Sequence, residues 1–275
     1  MYGLTYRDDL YGYRVPHLDS RPELDSPDRT ILGLGDSFTY GRGVRYRDIY
    51  LTRLEKLLNN GQDKVRIKNC AVVGATVEDI LNIYARESSS IPPKSLVIYG
   101  FVLNDFGLVF TEAIKGYNFI DFNNEGNTFN PLRQRSALIN FVSHNVEKRR
   151  LHTATLSAYL DSFEGENLVR GFGRLKELKQ ATLKNEHDLL VVVFPLLYDF
   201  GNYRFSSIHN KMEYFCSGHG ILYLDLFPSF SRHRAEELWS NPTDHHPNEL
   251  AHAIAANELA IFITTEVRDY SRGQD

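Results

Sequence analysis

The chain is poor in the residues that staple, ligate or anchor a protein. Its 275 residues include two cysteines, two methionines and one tryptophan. Cys70 and Cys216 stand far apart and match no zinc spacing, so the most they allow is one bridge, and nothing requires an oxidising compartment. Long apolar runs are absent too. The longest, Leu189 to Tyr198, contains a proline and is about half the ~20 residues of a membrane-spanning helix. Nor is there an excess of charge of one sign: 31 basic against 35 acidic side chains give a formal −4. Without a basic field, neither nucleic acid nor an anionic membrane is the expected partner. The opening MYGLTYRDDLYGYR has acidic residues where a secretory signal has its apolar core. With Met1 as the native start, this points to a cytoplasmic protein.

What is present is the composition of a soluble globular protein, 42% apolar and 24% charged, with a regular alternation of patterns. Short apolar runs predict strands at Thr30–Gly35, Val65–Val73, Ser95–Gly100, Leu189–Phe194 and Ile221–Leu226. Between them, Leu51, Leu54 and Leu58 predict a helix over Ile49–Leu58, and Val77, Ile80, Leu81 and Tyr84 fall on one helical face. An alanine-rich helix is predicted from Asn248 to Val267, with Leu250, Ala253, Ile254 and Ile261 inward. Continuous rather than alternating apolar strands read as buried on both faces, which implies an α/β fold with a mostly parallel five-stranded sheet covered by helices. The whole chain, 1–275, reads as a single domain with two departures. Residues 1–29, with three prolines, read as an irregular arm. Residues 106–167, rich in Phe and Tyr, read as an insertion with helices at Leu132–Arg150 and Thr153–Phe163. It could form a lid, line an acyl pocket, or simply pack against the frame.

Parallel sheets of this kind place ligands at the carboxyl ends of their strands. The first strand ends in GLGDSFTYGRG. This segment lacks the Gly-Lys-Ser/Thr of a phosphate loop, and GxGxxG fails because Phe38 stands where the third glycine belongs. It does offer Ser37 at a sharp turn, where a nucleophile is exposed and backbone amides face a developing oxyanion; an Asp-Ser turn or helix cap is the structural alternative. A serine needs a base held by a third group. NPTDHHPNELAH, which Pro247 keeps from being helical at His246 and which reads as an extended loop, supplies His246 with Asp244 two residues before it. The other readings of this segment are solvated histidines and a metal site made of Asp244, His245, His246 and His252. Asn104 and Asp105 follow the third strand, and Gly74 follows the second; each suits an oxyanion donor and each is also ordinary turn chemistry.

Taken together, GDSFTYG with Ser37, Asn69 with Gly74, Asn104–Asp105, and Asp244–His246–Pro247–Asn248 resemble the four blocks of the SGNH/GDSL hydrolases. Two positions depart from the common pattern. Val102 stands where glycine usually precedes the asparagine, and Thr243 stands three before the histidine, where an aspartate is usual. The resemblance implies a three-layer α/β/α sandwich, flavodoxin-like in outline, and hydrolysis of a carboxylic ester without metal or cofactor. It implies Ser37 as nucleophile, His246 as base (rather than His245, since it directly precedes Pro-Asn), Asp244 as its partner, and Ser37, Gly74 and Asn104 as the oxyanion hole. The substrate would be a small-molecule, carbohydrate or lipid ester carrying an acetyl or short acyl group. Acyl transfer to an acceptor alcohol uses the same triad, and a non-catalytic ligand or nucleotide binder uses the same frame.

Overall fold

Residues 4–16, 27–59, 64–107 and 154–267 are described by a computed structural model of the chain. They fall into two units, Met1–Asp105 with Arg170–Asp275, and Phe106–Val169.

The first unit is built on five parallel strands: β1 (Arg29–Gly35), β2 (Val65–Asn69), β3 (Leu96–Phe101), β4 (Asp188–Val193) and β5 (Leu222–Asp225). They lie in the order β2-β1-β3-β4-β5. The helices are α1 (Ser37–Tyr40), α2 (Tyr50–Leu58), α3 (Val77–Glu87), α4 (Gly165–Lys184), α5 (Ser206–Gly218), α6 (Phe227–Phe230) and α7 (Glu249–Glu266). The central strands β1, β3 and β4 are almost wholly buried, as continuous apolar runs require. Side chains alternate across the sheet. Ile31, Ile98 and Val192 join Leu51 and Leu54 of α2 and Ala255 and Leu259 of α7 in one core. Their neighbours Leu32, Tyr99 and Val191, equally buried, point to the opposite face.

Three features differ from the sequence reading. β2 stops at Asn69 instead of running to Val73; there the Asn69 carboxamide bonds to the backbone on either side, accepting from Ala71 N (3.1 Å) and donating to Thr39 O (3.0 Å). The inner face of α7 is Ala251, His252, Ala255, Ala256, Leu259 and Ile263, while Leu250 and Ile261 are exposed. Small side chains let α7 lie close against α2, and a helix apolar all round offers no periodicity from which to choose a face. The segment before α7, read as an extended loop, is an antiparallel ribbon of β6 (Trp239–Asn241) and β7 (Asp244–Pro247).

In the second unit, residues 154–161 are helical and Phe106 stacks on Phe163 with ring centroids 5.0 Å apart. The helix expected at Leu132–Arg150 lies outside the described residues. Cys70 and Cys216 are buried free thiols, each pushed up to about 12 by burial.

Candidate active site

The chain leaves β1 for β2 on one side and then crosses to β3 on the other. Connections therefore diverge at the carboxyl ends of β1 and β3, and a crevice opens there. Ser37 follows β1 and Asn104 follows β3. Gly35 and Gly100, paired across the two strands, have no room for a side chain: a Cβ on either would stand 2.2 Å from Thr39 Oγ1. The Thr39 hydroxyl fills that space and meets Tyr50 OH at 3.1 Å. The close approach holds α1 down on the sheet with its first residue, Ser37, at the crevice.

Asp36 caps α1, its Oδ1 accepting from Phe38 N at 2.9 Å. Its Oδ2 accepts from Ser37 Oγ and from Asn104 Nδ2, both at 3.3 Å. Asp36 is only 1% exposed. Burial pushes its carboxyl up, and the bonds from Phe38 N–H and the Asn104 amide partly offset this. The bond to Asp36 fixes which end of the Asn104 amide is nitrogen and leaves the second N–H to point elsewhere. Asp105, beside it, is fully buried, and its Oδ2 accepts from Tyr99 OH (2.8 Å) and Val102 N (3.1 Å), which closes the turn that presents Asn104.

β7 supplies the other half. Along an extended strand, residues two apart share a face, so Asp244 and His246 lie together while His245 points away and stacks on Trp239 (3.9 Å, 14°). The spacing of two is thus what a strand needs. His246 Nδ1 is hydrogen-bonded to Asp244 Oδ1, and His246 Nε2 lies 3.0 Å from Ser37 Oγ. Burial opposes charge on Asp244, but the His246 hydrogen bond and charge, with Arg42 Nε 4.0 Å from its Oδ2, outweigh it and hold the carboxyl below the usual range. Immediately after the strand, Asn248 caps α7 by accepting from Leu250 N and Ala251 N, while its amide donates to Glu237 O and Trp239 O. That double role anchors the ribbon to the helix start.

Gly74 sits in the exposed turn after β2. The chain past β2 still runs beside β1, with Cys70 N on Gly33 O (2.8 Å) and Val72 N on Gly35 O (3.1 Å), so Gly74 comes just beyond the level of the turn that carries Ser37. Its φ of +78° is a glycine conformation, and no atom lies within 4 Å of where a Cβ would be. A side chain here would therefore meet open space.

The structure brings Ser37, His246, Asp244, Asp36 and Asn104 into one hydrogen-bonded chain. The four residues of the metal reading do not gather: among the described residues no cluster of three His, Cys, Asp or Glu could hold an ion. His252 is instead buried under the site, its Nδ1 accepting from Tyr50 N at 3.2 Å. Sequence reasoning missed Asp36 as a shared acceptor and Arg42 as a neighbour of Asp244. The first was visible as the Asp of GDS; the second had no signal beyond its nearness to Ser37.

Comparison with known proteins gives the family and the fold. The sequence pattern of the GDSL-like lipase/acylhydrolase family matches residues 34–254. The chain belongs to that family. As a GDSL-like protein it is an ester-hydrolysing enzyme. No curated protein matches by sequence. Among solved structures, it is similar to a catalytic mutant of Axe2, an acetylxylan esterase from Geobacillus stearothermophilus, at 15% identity and TM-score 0.54, over 91% of this chain and 99% of that one. A lipolytic protein of the G-D-S-L family from Veillonella parvula matches at 12% identity and TM-score 0.51, over 87% and 99%. Esterase EstA from Pseudoalteromonas sp. matches at 13% and 0.52, over 86% and 97%. These likenesses show a shared SGNH-type α/β fold. No helix among the described residues is long and apolar enough to cross a membrane.

Proposed function

We propose that this GDSL-like enzyme cleaves carboxylic esters with a short acyl group by a serine mechanism. The observation that carries the reading is the chain Ser37 Oγ–His246 Nε2, 3.0 Å, with Nδ1 on Asp244. Ser37 Oγ attacks the carbonyl carbon as its proton passes to His246 Nε2. Asp244, kept ionised, holds the imidazole in the Nδ1–H tautomer and stabilises the imidazolium. The oxyanion forms against the Ser37 and Gly74 N–H groups and the free N–H of Asn104, which Asp36 has already oriented, so no reorganisation is needed as charge develops. The imidazolium then gives its proton to the departing alkoxide, leaving an acyl-serine. Water attacks the acyl carbonyl, His246 takes its proton, and that proton returns to Ser37 as the acid leaves.

The Ser37 hydroxyl has two acceptors, His246 Nε2 and, slightly further, Asp36 Oδ2. Transfer to the imidazole is the productive course, because the imidazole can hand the proton on to the leaving group. The test is hydrolysis of p-nitrophenyl acetate, butyrate and octanoate by wild type and Ser37→Ala, with chelator present. Turnover that survives chelation, falls with chain length and vanishes in the variant is the expected result. Turnover unaffected by Ser37→Ala would overturn the mechanism, and a maximum at octanoate would overturn the short acyl group.

A further inference from the structure

α1 is a single helical turn, too short to hold itself, and it passes into a loop, 41–44, that the rest of the molecule must fix. That loop is the joint between the two halves of the site. At one end, Gly41 N and Arg42 N donate to Ser37 O at 3.1 and 3.0 Å. At the other, Gly43 lies so close to the β6–β7 ribbon that a Cβ there would stand 2.7 Å from Ser240 Cβ. Ser240 Oγ in turn donates to Asp244 O (2.9 Å). Gly41 itself takes the left-handed conformation, φ +82°.

One side chain gathers the outward-facing carbonyls of this joint. Arg14, in the N-terminal arm, donates from Nη1 to Gly41 O and Tyr40 O (3.4 Å), and from Nη2 to Val44 O at 2.6 Å. It is 4% exposed. Its guanidinium lies over the Tyr6 ring, 4.5 Å from the centroid, and 5.6 Å from that of Tyr40. Tyr6 OH accepts from Gly43 N at 2.9 Å, and Tyr40 OH donates to Asp8 Oδ1 at 2.7 Å. A buried guanidinium is a costly way to fasten an arm, since apolar residues would do it without desolvating a charge. What apolar residues cannot do is fix three backbone carbonyls at set angles, which a rigid planar fork can.

We propose that Arg14 is a positioning residue of the hydrolytic site: from the N-terminal arm, it clamps the carbonyls of Tyr40, Gly41 and Val44 and so sets Ser37 Oγ against the imidazole of the ribbon. The inference rests on the serine mechanism above. Lysine in its place offers one ammonium and cannot span the three carbonyls. An ~1 Å misplacement of reacting groups costs up to about 100-fold, so Arg14→Lys is expected to lower kcat ~10–100-fold with KM little changed. The rate at which a fluorophosphonate labels Ser37 should fall by the same factor. Arg14→Ala should lose as much or more and recover part of it in millimolar methylguanidinium, which refills the cavity with the missing fork.

All rates are to be taken per folded molecule, by circular dichroism and the final extent of labelling. If both variants keep wild-type kcat and labelling rate per folded molecule, Arg14 is only an anchor and the proposal is overturned. If neither folds, Tyr6→Leu compared with Tyr6→Phe decides: both lose the acceptor of Gly43 N–H, but only leucine takes away the ring that seats the guanidinium, so a labelling rate several-fold lower in Tyr6→Leu than in Tyr6→Phe supports the clamp, whereas equal rates overturn it. Wild-type protein that neither turns over esters nor takes the label refutes the serine mechanism and Arg14 with it. Active wild type with unaltered variants refutes Arg14 alone.

Discussion

Replacing His252 by glutamine should remove ~2.5 kcal/mol of the stability that the protein loses between pH 6 and pH 4. The ring of His252 is fully buried, lies parallel to that of Tyr50 (10°), and spends Nδ1 as the acceptor for Tyr50 N–H, so its one proton is on Nε2. Burial, with the charges of Arg14, Arg53 and His246 adding to it, pushes the group down to about 3. In the unfolded chain it titrates near 6.5. Between those values the unfolded state carries a proton that the native state refuses, so stability falls by ~1.4 kcal/mol for each pH unit lowered. Integrated from pH 6 to pH 4, with the unfolded histidine only partly protonated at the start, this gives the figure above. Glutamine can still accept from Tyr50 N–H but has nothing to titrate. The assay is urea unfolding of both proteins at half-unit pH steps, read as the difference between the two curves. Subtraction cancels the buried carboxyls of Asp36 and Asp105, which act in the opposite sense: both are raised by burial, so their cost eases as pH falls. Parallel curves would refute the reasoning, for they would mean that the native ring takes up its proton as readily as the unfolded one.

Asn104→Ala should lower kcat ~100–1000-fold with little change in KM, the loss of one oxyanion donor; stopped-flow or steady-state ester hydrolysis checks it. Asp244→Asn should cost roughly 10³–10⁴-fold in kcat, because an amide neither carries the charge nor enforces the tautomer, while the rate of label uptake falls in parallel. Gly35→Ala would drive a methyl to 2.2 Å from Thr39 Oγ1 and 2.9 Å from Gly100 O, and should lower the urea-derived stability by ~1–3 kcal/mol or more. Leu259→Ala, in the fully buried face of α7 against α2, should cost ~2–5 kcal/mol with kcat per folded molecule unchanged.

The sheet was legible because its central strands are buried on both faces and so spell unbroken apolar runs, as LLVVVF does in β4. The inner face of α7 was not, since a helix of alanines carries almost no directional signal and its buried histidine looks polar on paper. Ser37 as a candidate was legible from a strand-end serine among small residues, and the helix cap weighed beside it is present in the structure: Asp36 caps the helix on which Ser37 stands. His246 over His245 followed from the residue after it, while the physical reason, a strand placing 244 and 246 on one face, needed the ribbon. Arg14 was illegible. In an arm of Tyr, Asp and Arg it has the look of a solvated charge, and only the fold reveals that its partners are backbone carbonyls, which no sequence pattern spells.

That ribbon has a mechanical meaning. The imidazole and the carboxylate that polarises it ride on a single four-residue strand, whereas the hydroxyl they serve comes from a turn 209 positions away in the chain. Any swing of the ribbon changes one distance and preserves the other: on the proposed mechanism, the base stays primed while the nucleophile is disengaged. The pair behaves as a detachable cartridge seated by Asn248 on one side and by the loop at Gly43 on the other. Residues added at its Pro242–Thr243 tip would lengthen the cartridge without separating its two working parts.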